Sequence, residues 1–326
     1  MTMTKQLLFS ILIPNYGIND NILRCFETVF NQDTNDLFEY EVIVCDQNDD
    51  KNFLTIESLI KSVGNKRLKL YRSEKSLIKA RCLLVSKAVG KYIVFVDSDD
   101  YVSSNYLLSI YEAIKINDFP CLIIHPYYIV QEGKQERKVT LSEEIKRNFI
   151  DYYLYSDYLN SLVIKCFKKE FFNCDLVYDY DVVVGDDWVL SFQLFEKIKQ
   201  IVFCDDVDGY YYCINNSSTT KRITMEIAEK QIRYRIPYLS YDKMTEFQWK
   251  LFSKTNIKNY CICSIQLIRN KIIDYNEFVS FSNSIRHLFF KEQKTAYFKK
   301  MTTREKMAFY LLKLRLYLFL YLLFKI

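Results

Sequence analysis

The sequence predicts an α/β fold: a mainly parallel sheet with helices on both faces, followed by a mostly helical C-terminal region. Three observations carry that expectation. Over the first 220 or so residues, short unbroken apolar runs alternate with stretches of helical periodicity. Three of those runs end in polar clusters, at 14–17, 46–50 and 97–100. From about 221 onward strand-like runs become rare, and charged residues interleave with apolar ones at helical spacing. Strands that are apolar along their whole length are buried on both faces, as in a parallel sheet clad by helices. Such sheets bind ligands at the carboxyl ends of their strands, so the three polar clusters are expected to converge. The expected domains are therefore 1–220, carrying the sheet, and 221–326, helical.

The first strand is expected at Leu7-Leu8-Phe9-Ser10-Ile11-Leu12-Ile13, ending at Pro14. No small-x-small cleavage site follows it, so a buried strand is expected there and not a signal peptide. Residues 19–32 place Ile22, Phe26, Val29 and Phe30 on one helical face. A second strand at Tyr40–Cys45 runs into Asp46-Gln47-Asn48-Asp49-Asp50. A helix over about 52–63, a strand over 67–71 and a helix over 76–88 continue the alternation. Tyr92-Ile93-Val94-Phe95-Val96 then leads directly into Asp97-Ser98-Asp99-Asp100. A helix over 103–117 and a strand over 121–124 follow.

Scarcity of glycine limits the chemistry. Only six are present, with no G-x-G and no G-x-x-x-x-G-K. A backbone cradle for phosphates needs closely spaced glycines, so P-loop and dinucleotide-binding functions lose their support. Phosphates, if bound, must meet side chains or a metal. The ten cysteines form no C-x-x-C pair, which argues against zinc, and they suit a reducing cytoplasm. The net charge is +5, yet residues 291–326 alone carry nine Lys or Arg against two Glu. The remainder is slightly acidic, which excludes a basic nucleic-acid-binding body.

Two acidic clusters carry the candidate chemistry. Asp97 and Asp99, two apart in the turn after a strand, can face one cleft, where a cation would offset their repulsion. Oxygen-only donors suit Mn²⁺ or Mg²⁺, with phosphates and water in the remaining positions. Asp186 and Asp187 open an amphipathic stretch beside Trp188. A helix N-terminus stabilises a carboxylate, and an apolar neighbour raises its basicity, as a general base requires.

Taken in order, these pieces resemble the family 2 glycosyltransferases, whose GT-A fold is a Rossmann-like nucleotide-sugar-binding domain. The resemblance runs over about 7–220. Ile11-Leu12-Ile13-Pro14-Asn15-Tyr16 is similar to the first-strand signature, and Val44-Cys45-Asp46-Gln47-Asn48-Asp49 to the nucleotide loop. Lys79-Ala80-Arg81 resembles the Ala-Arg-Asn helix start, and Gly90-Lys91-Tyr92-Ile93 precedes the D-x-D motif at the usual distance. Gly185-Asp186-Asp187-Trp188 resembles the Glu-Asp motif, and Tyr210–Thr220, with Asn215-Asn216-Ser217-Ser218-Thr219, a loop that closes over the donor.

That resemblance implies roles. Asp46 would accept from the nucleobase, with Pro14 and Tyr16 packed around it and Arg81 near the base or diphosphate. Asp97 and Ser98 would contact the donor, and Asp99 would ligate the metal. Asp186 and Trp188 would flank Asp187, the base for the acceptor hydroxyl. The implied partners are a nucleotide-diphospho-sugar donor, taken as a UDP-sugar, and a saccharide or lipid-linked saccharide acceptor. Inversion at the anomeric carbon is likewise a family expectation. Cys45, Gly17, Cys82, Asp186 and Cys213 depart from the usual residues at their positions. Two alternatives stand beside this one: a haloacid-dehalogenase-like phosphatase, in which the D-x-D motif closes the first strand, and an inactive nucleotide-sugar-binding module.

The tail, 303–326, is basic and rich in Leu and aromatics, with Leu at every even position from 312 to 322. Alternation suggests a strand, whereas Leu richness without β-branched residues favours helix. Its uncharged run is too short to span a bilayer. Peripheral contact with the cytoplasmic membrane face and packing against the body or a second subunit, as in a homo-oligomer, are both open on the sequence.

Overall fold

Leu7–Asn15 forms a nine-residue strand, buried along nearly all its length and extending two residues past the apolar run. It is β1 in a computed structural model that describes residues 6–18, 21–63, 68–131, 137–157, 159–173, 185–195, 197–214, 223–239, 243–286 and 302–325. The elements that follow are α1 (Ile22–Phe30), β2 (Glu39–Asp46), α2 (Asp50–Val63), β3 (Leu68–Arg72) and α3 (Leu77–Lys87). Then come β4 (Tyr92–Phe95), β5 (Tyr101–Val102), α4 (Tyr106–Ile116), β6 (Leu122–Ile124), β7 (Tyr127–Val130) and β8 (Arg137–Val139). After them are α5 (Glu143–Arg147), α6 (Phe149–Tyr155), β9 (Lys165–Lys168), α7 (Asp186–Phe195), β10 (Ile201–Phe203) and β11 (Tyr210–Cys213). The last helices are α8 (Met225–Arg233), α9 (Glu246–Arg269), α10 (Tyr275–Arg286), α11 (Thr303–Lys313) and α12 (Tyr317–Lys325).

The chain divides into two compact units. The first comprises Met1–Lys146, Ser161–Val182 and Asp186–Asn216. Its main sheet has the order β10-β6-β9-β4-β1-β2-β3, and a smaller sheet has the order β5-β11-β7-β8. β1 pairs in parallel with β2 and β4, and the paired ends are Asn15 opposite Asp46 and Leu12 opposite Phe95. These three strands therefore deliver their following loops to one edge. β9 runs antiparallel between β4 and β6, so its first residue, Lys165, lies opposite Ile124, the last residue of β6, at that same edge.

A polar clasp closes the opposite end of β1. Ser10 Oγ donates to Glu41 Oε1 at 2.6 Å, and the Val89 N–H reaches the same oxygen at 2.7 Å. Lys69 Nζ pairs with Glu41 Oε2 at 2.7 Å. Burial favours the neutral carboxyl, but the bonds from Lys69, Ser10 and Val89 outweigh it and hold Glu41 below the usual carboxylate range. Gly90 completes the clasp, its N–H donating to Ser10 Oγ at 2.9 Å. A Cβ at Gly90 would stand 2.6 Å from the Phe9 carbonyl carbon and from the Ser10 nitrogen.

The second unit comprises Arg147–Asn160, Val183–Gly185 and Ser217–Ile326. Helix α9 is its axis, started by a capping box of Thr245 and Gln248. Ile257, Tyr260, Cys261 and Leu267 of α9 share one buried cluster with Phe278 and Phe281 of α10 and with Ala308, Leu312, Leu320 and Phe324 of the tail. The Leu-rich tail forms two helices, α11 and α12, separated at 314–316 where Arg315 takes φ +57°. Burial then falls on Ala308, Leu312, Tyr317, Leu320 and Phe324, a helical spacing that the even-numbered Leu pattern obscures. Among the described residues no helix is long and apolar enough to cross a membrane.

Gly90→Ala is expected to lower the free energy of unfolding by about 1–3 kcal/mol, because the backbone of β1 must move to admit the methyl group. Urea denaturation measures it; an unchanged midpoint would show that β1 shifts without cost.

Candidate active site

The end of β2 builds the first wall of the site. Asp46 is fully buried. Its Oδ1 accepts from Asn15 Nδ2 at 2.6 Å and Asn48 Nδ2 at 2.8 Å, and Oδ2 faces the Asn48 N–H at 3.3 Å. Asn48 in turn accepts from the Gly17 N–H at 2.7 Å, which fixes the loop after β1, where Gly17 takes φ +85°. Above this layer lies a cleft of about 690 Å³ whose lining includes Tyr16, Asn48, Asn52, Arg72, Ser73 and Lys75. Tyr16 is 45 % exposed, with Lys75 Nζ 4.5 Å from its ring centroid, whereas Pro14 is buried. Asp46 thus holds the cleft wall from beneath.

The loop after β4 supplies the second element. Its backbone is pinned on two sides: Asn21 Nδ2 donates to the Asp99 carbonyl at 3.1 Å, and Cys25 Sγ to the Asp97 carbonyl at 3.6 Å. Asp100 is fully buried and accepts from Tyr210 Oη at 2.6 Å and the Cys213 N–H at 2.8 Å. It joins the loop to β11. Burial, with Asp97 nearby, pushes its carboxyl well above the usual range. Ser98 is buried, while Asp97 and Asp99 are partly exposed.

Arg81 unites the acids. Ser76 caps α3, accepting from the Lys79 N–H, and this start places Arg81 on the helix's buried face with Ile78, Ala80 and Leu84. Arg81 is 3 % exposed, and its guanidinium contacts the carboxylates of Asp186 and Asp187, with Asp97 at 3.8 Å. Burial alone would disfavour its charge, but the three acids outweigh that and strengthen its hold on the proton.

Asp186 and Asp187 form the first turn of α7. Burial pushes the Asp187 carboxyl up to about 7; Arg81 opposes the rise, and Asp186 and Asp97 add to it. Lys165 sits behind, fully buried, its Nζ donating to the Ser161 carbonyl at 2.5 Å. Burial pushes its ammonium down to about 7, against the attraction of Asp187. Trp188 lies on the core face of α7, 0 % exposed and stacked on Phe192 at 4.8 Å, so it is an apolar backing with no surface open to a ligand.

The sequence-predicted residues thus fall into two neighbouring groups at one sheet edge. Arg81 gathers Asp97, Asp186 and Asp187, with Asp99 on the same loop as Asp97. Tyr16 lines the cleft, with Asp46 and Pro14 buried beneath it, and β1 lies between β2 and β4; two strand spacings make about 10 Å. Asn15, Asn48, Lys75, Tyr210 and Lys165 are additions from the structure. A lysine inside the apolar stretch Leu162–Phe167 is the one sequence sign that pointed to Lys165. Of the predicted closing loop, Tyr210–Thr220, residues 210–213 form β11, and 215–220 lie outside the described residues.

Among the described residues no three His, Cys, Asp or Glu side chains gather into a complete metal site. Two partly exposed carboxylates on one rigid turn nevertheless fit a hard divalent cation that takes its other ligands from phosphate and water.

Comparison with known proteins agrees with this architecture. The family model described as "Glycosyl transferase family 2" matches residues 10–174. The chain is 24 % identical to the uncharacterized glycosyltransferase EpsJ of Bacillus subtilis over 257 residues, covering 72 % of this chain and 70 % of that one. It is 25 % identical over 222 residues to the poly(ribitol-phosphate) beta-N-acetylglucosaminyltransferase TarP of Staphylococcus aureus, covering 66 % and 65 %. Its fold is similar to crystal structures of S. aureus TarS 1-349 in complex with UDP and with UDP-GlcNAc. The TM-scores are 0.64 and 0.63 at 15 % identity, covering 98 % of this chain and 90 % and 91 % of those. The likeness to TarS is one of fold, GT-A.

Arg81→Met is expected to destabilise the protein by about 3–5 kcal/mol at pH 8, because it leaves buried carboxylates without their cation. The deficit narrows as pH falls toward 5, since protonation of Asp187 then relieves the repulsion. Urea unfolding across that range decides the point, and a deficit independent of pH would contradict the electrostatic origin.

Proposed function

The chain belongs to glycosyl transferase family 2, and we propose that it moves a sugar from a UDP-sugar to an acceptor hydroxyl, with inversion, in the assembly of a cell-surface polysaccharide. One observation carries the catalytic part: Arg81 contacts the paired acids of α7 while standing 3.8 Å from Asp97 of the D-x-D turn. In this reading Asp97 faces the donor and Asp187 the acceptor, and one buried cation holds both. The nucleotide part is supported by the adjoining cleft, where Tyr16 offers an exposed ring and Lys75 a cation, on a wall that Asn48 and Asp46 hold in place. TarS, of the same fold, binds UDP and UDP-GlcNAc. TarP is named for N-acetylglucosaminyl transfer to poly(ribitol-phosphate), and a saccharide or lipid-linked saccharide is the acceptor proposed here.

In this mechanism Asp187 takes the proton of the acceptor hydroxyl. The freed oxygen attacks the anomeric carbon from the face opposite the diphosphate, and the bond to the phosphate oxygen breaks with its electron pair leaving on UDP. A carboxylate whose proton affinity is raised by burial is a better base than an exposed one, yet remains ionised just above neutrality. Arg81 orients Asp187 and moderates that rise. Mn²⁺ or Mg²⁺ would be held by Asp99 with Asp97 beside it, and would neutralise charge on the departing diphosphate.

A thermal-shift screen of nucleoside diphosphates with and without Mn²⁺ tests the donor assignment. UDP should stabilise the protein, and more so with the metal; stabilisation by none of the nucleotides would falsify it. Asp187→Asn should lower kcat by ~10²–10⁴-fold while leaving the UDP response intact. In the parent enzyme kcat/KM should rise with pH through about 7, as Asp187 loses its proton. Lys165→Met, which removes a neighbouring positive charge, should move that limb to higher pH; a limb left in place would deny Lys165 its influence on the base.

A further inference from the structure

The tail helices carry two different faces. Ala308 and Leu312 of α11, and Tyr317, Leu320 and Phe324 of α12, turn inward to the cluster around α9 and α10. On the outer side of α11 lie Met307 and Tyr310, with Leu314 just beyond its end, at spacings of three and four. On the outer side of α12 lie Leu318, Phe319 and Leu322. Leu314 is 64 % exposed and Phe319 60 %, a large apolar cost for a surface that serves only as a surface.

The hairpin holds this face in a fixed form. Arg286 donates to the carbonyls of Leu312 and Lys313 at 3.2 and 3.0 Å, closing the end of α11. Arg304 donates to the Leu323 carbonyl at 2.6 Å, and Tyr317 Oη to Asn283 Oδ1 at 2.5 Å. Thr302 and Glu305 form a capping box at the start. The two helices are therefore held to α10 and to each other by bonds that do not involve Leu314, Leu318, Phe319 or Leu322.

Charge identifies what the face fits. Lys313, Arg315 and Lys325 are exposed around the apolar stripe. The only acid in 302–325 is Glu305, and its carboxylate is bound to the Thr302 N–H at 2.7 Å within the cap. An apolar stripe bordered by cations alone matches the interface of a bilayer, where acyl chains lie beneath anionic headgroups. A protein partner or a second copy of this chain would need acids of its own opposite three cations. We propose that the outer face of α11 and α12 rests on an anionic membrane surface, with Leu314, Leu318, Phe319 and Leu322 in the acyl boundary and the cations at the headgroups. Neither helix spans the bilayer.

Sedimentation of the full chain with vesicles tests this. The protein should pellet with phosphatidylglycerol-containing vesicles and far less with pure phosphatidylcholine, and salt should release it. Lys313→Gln with Lys325→Gln should weaken the binding by roughly thirtyfold at low salt. Leu318→Glu with Phe319→Glu and Leu322→Glu should abolish it, while circular dichroism and UDP-induced stabilisation stay unchanged, since these side chains are exposed. A parent protein that stays in the supernatant with anionic vesicles overturns the proposal, and so does a triple variant that still pellets. A dimer detected by light scattering without vesicles, and lost in the triple variant, would overturn it in favour of a second copy.

Discussion

An arginine that is 3 % exposed cannot be held without anions, and Asp97, Asp186 and Asp187 surround Arg81 from two different elements. The dependence runs both ways, because buried acids crowded together need that cation as much as it needs them. Helix α3 presents Arg81, β4 leads into Asp97, and α7 begins with the other two. Fixing α3 against β1 and β2, and the D-x-D turn against α1 and β11, is what brings the three acids within reach of one charge. The proton affinity of Asp187 is then a balance of burial against Arg81, with no special chemistry of its own.

Some of this was legible in the sequence and some was not. The strand–helix alternation was, because strands buried on both faces leave unbroken apolar runs, as in Ile11–Ile13 and Val42–Val44, which are fully buried. The polar ends of those runs marked the correct sheet edge. What the sequence concealed is the division of labour among neighbouring acids. Asp97, Asp99 and Asp100 look alike on the page, yet Asp100 is consumed by Tyr210 and Cys213 from more than a hundred residues away. Asp46 is similarly taken up by Asn15 and Asn48, so it shapes the cleft from below. Long-range partners of this kind leave no local periodicity. The tail shows the opposite failure: its regular Leu alternation is real but irrelevant, since burial follows a spacing of four from Ala308 to Leu312 and of three and four through Tyr317, Leu320 and Phe324. Nor does any signal near Arg147–Asn160 announce that this segment packs with the helical unit.

Structural polar groups and candidate reactive groups are separated along the strands. Ser10, Glu41, Lys69 and Gly90 form a satisfied clasp around one end of β1, where the chain approaches too closely for any side chain at Gly90. The other end carries carboxylates whose charges are only partly balanced. A fully compensated network stabilises without inviting a ligand, whereas an acid-rich turn beside one arginine keeps negative charge that a bound cation would offset. The same sheet therefore has a closed end and an open one.

The antiparallel strand β9 completes this arrangement. Inserted between β4 and β6, it runs against the parallel strands, so its beginning and not its end arrives at the reactive edge. That reversal delivers Lys165 to a fully buried position behind the acids, with the Ser161 carbonyl as a partner for its ammonium. A parallel strand there would have placed its first residue at the edge of the Glu41 clasp. Burial weakens the lysine's hold on its proton and strengthens that of Asp187, so both groups change charge in the same pH region, near neutrality. Each group then tunes the other, and the proton affinity of Asp187 is a property of the pair within the field of Arg81. The strand order of the sheet thereby reaches into the proton chemistry of the site.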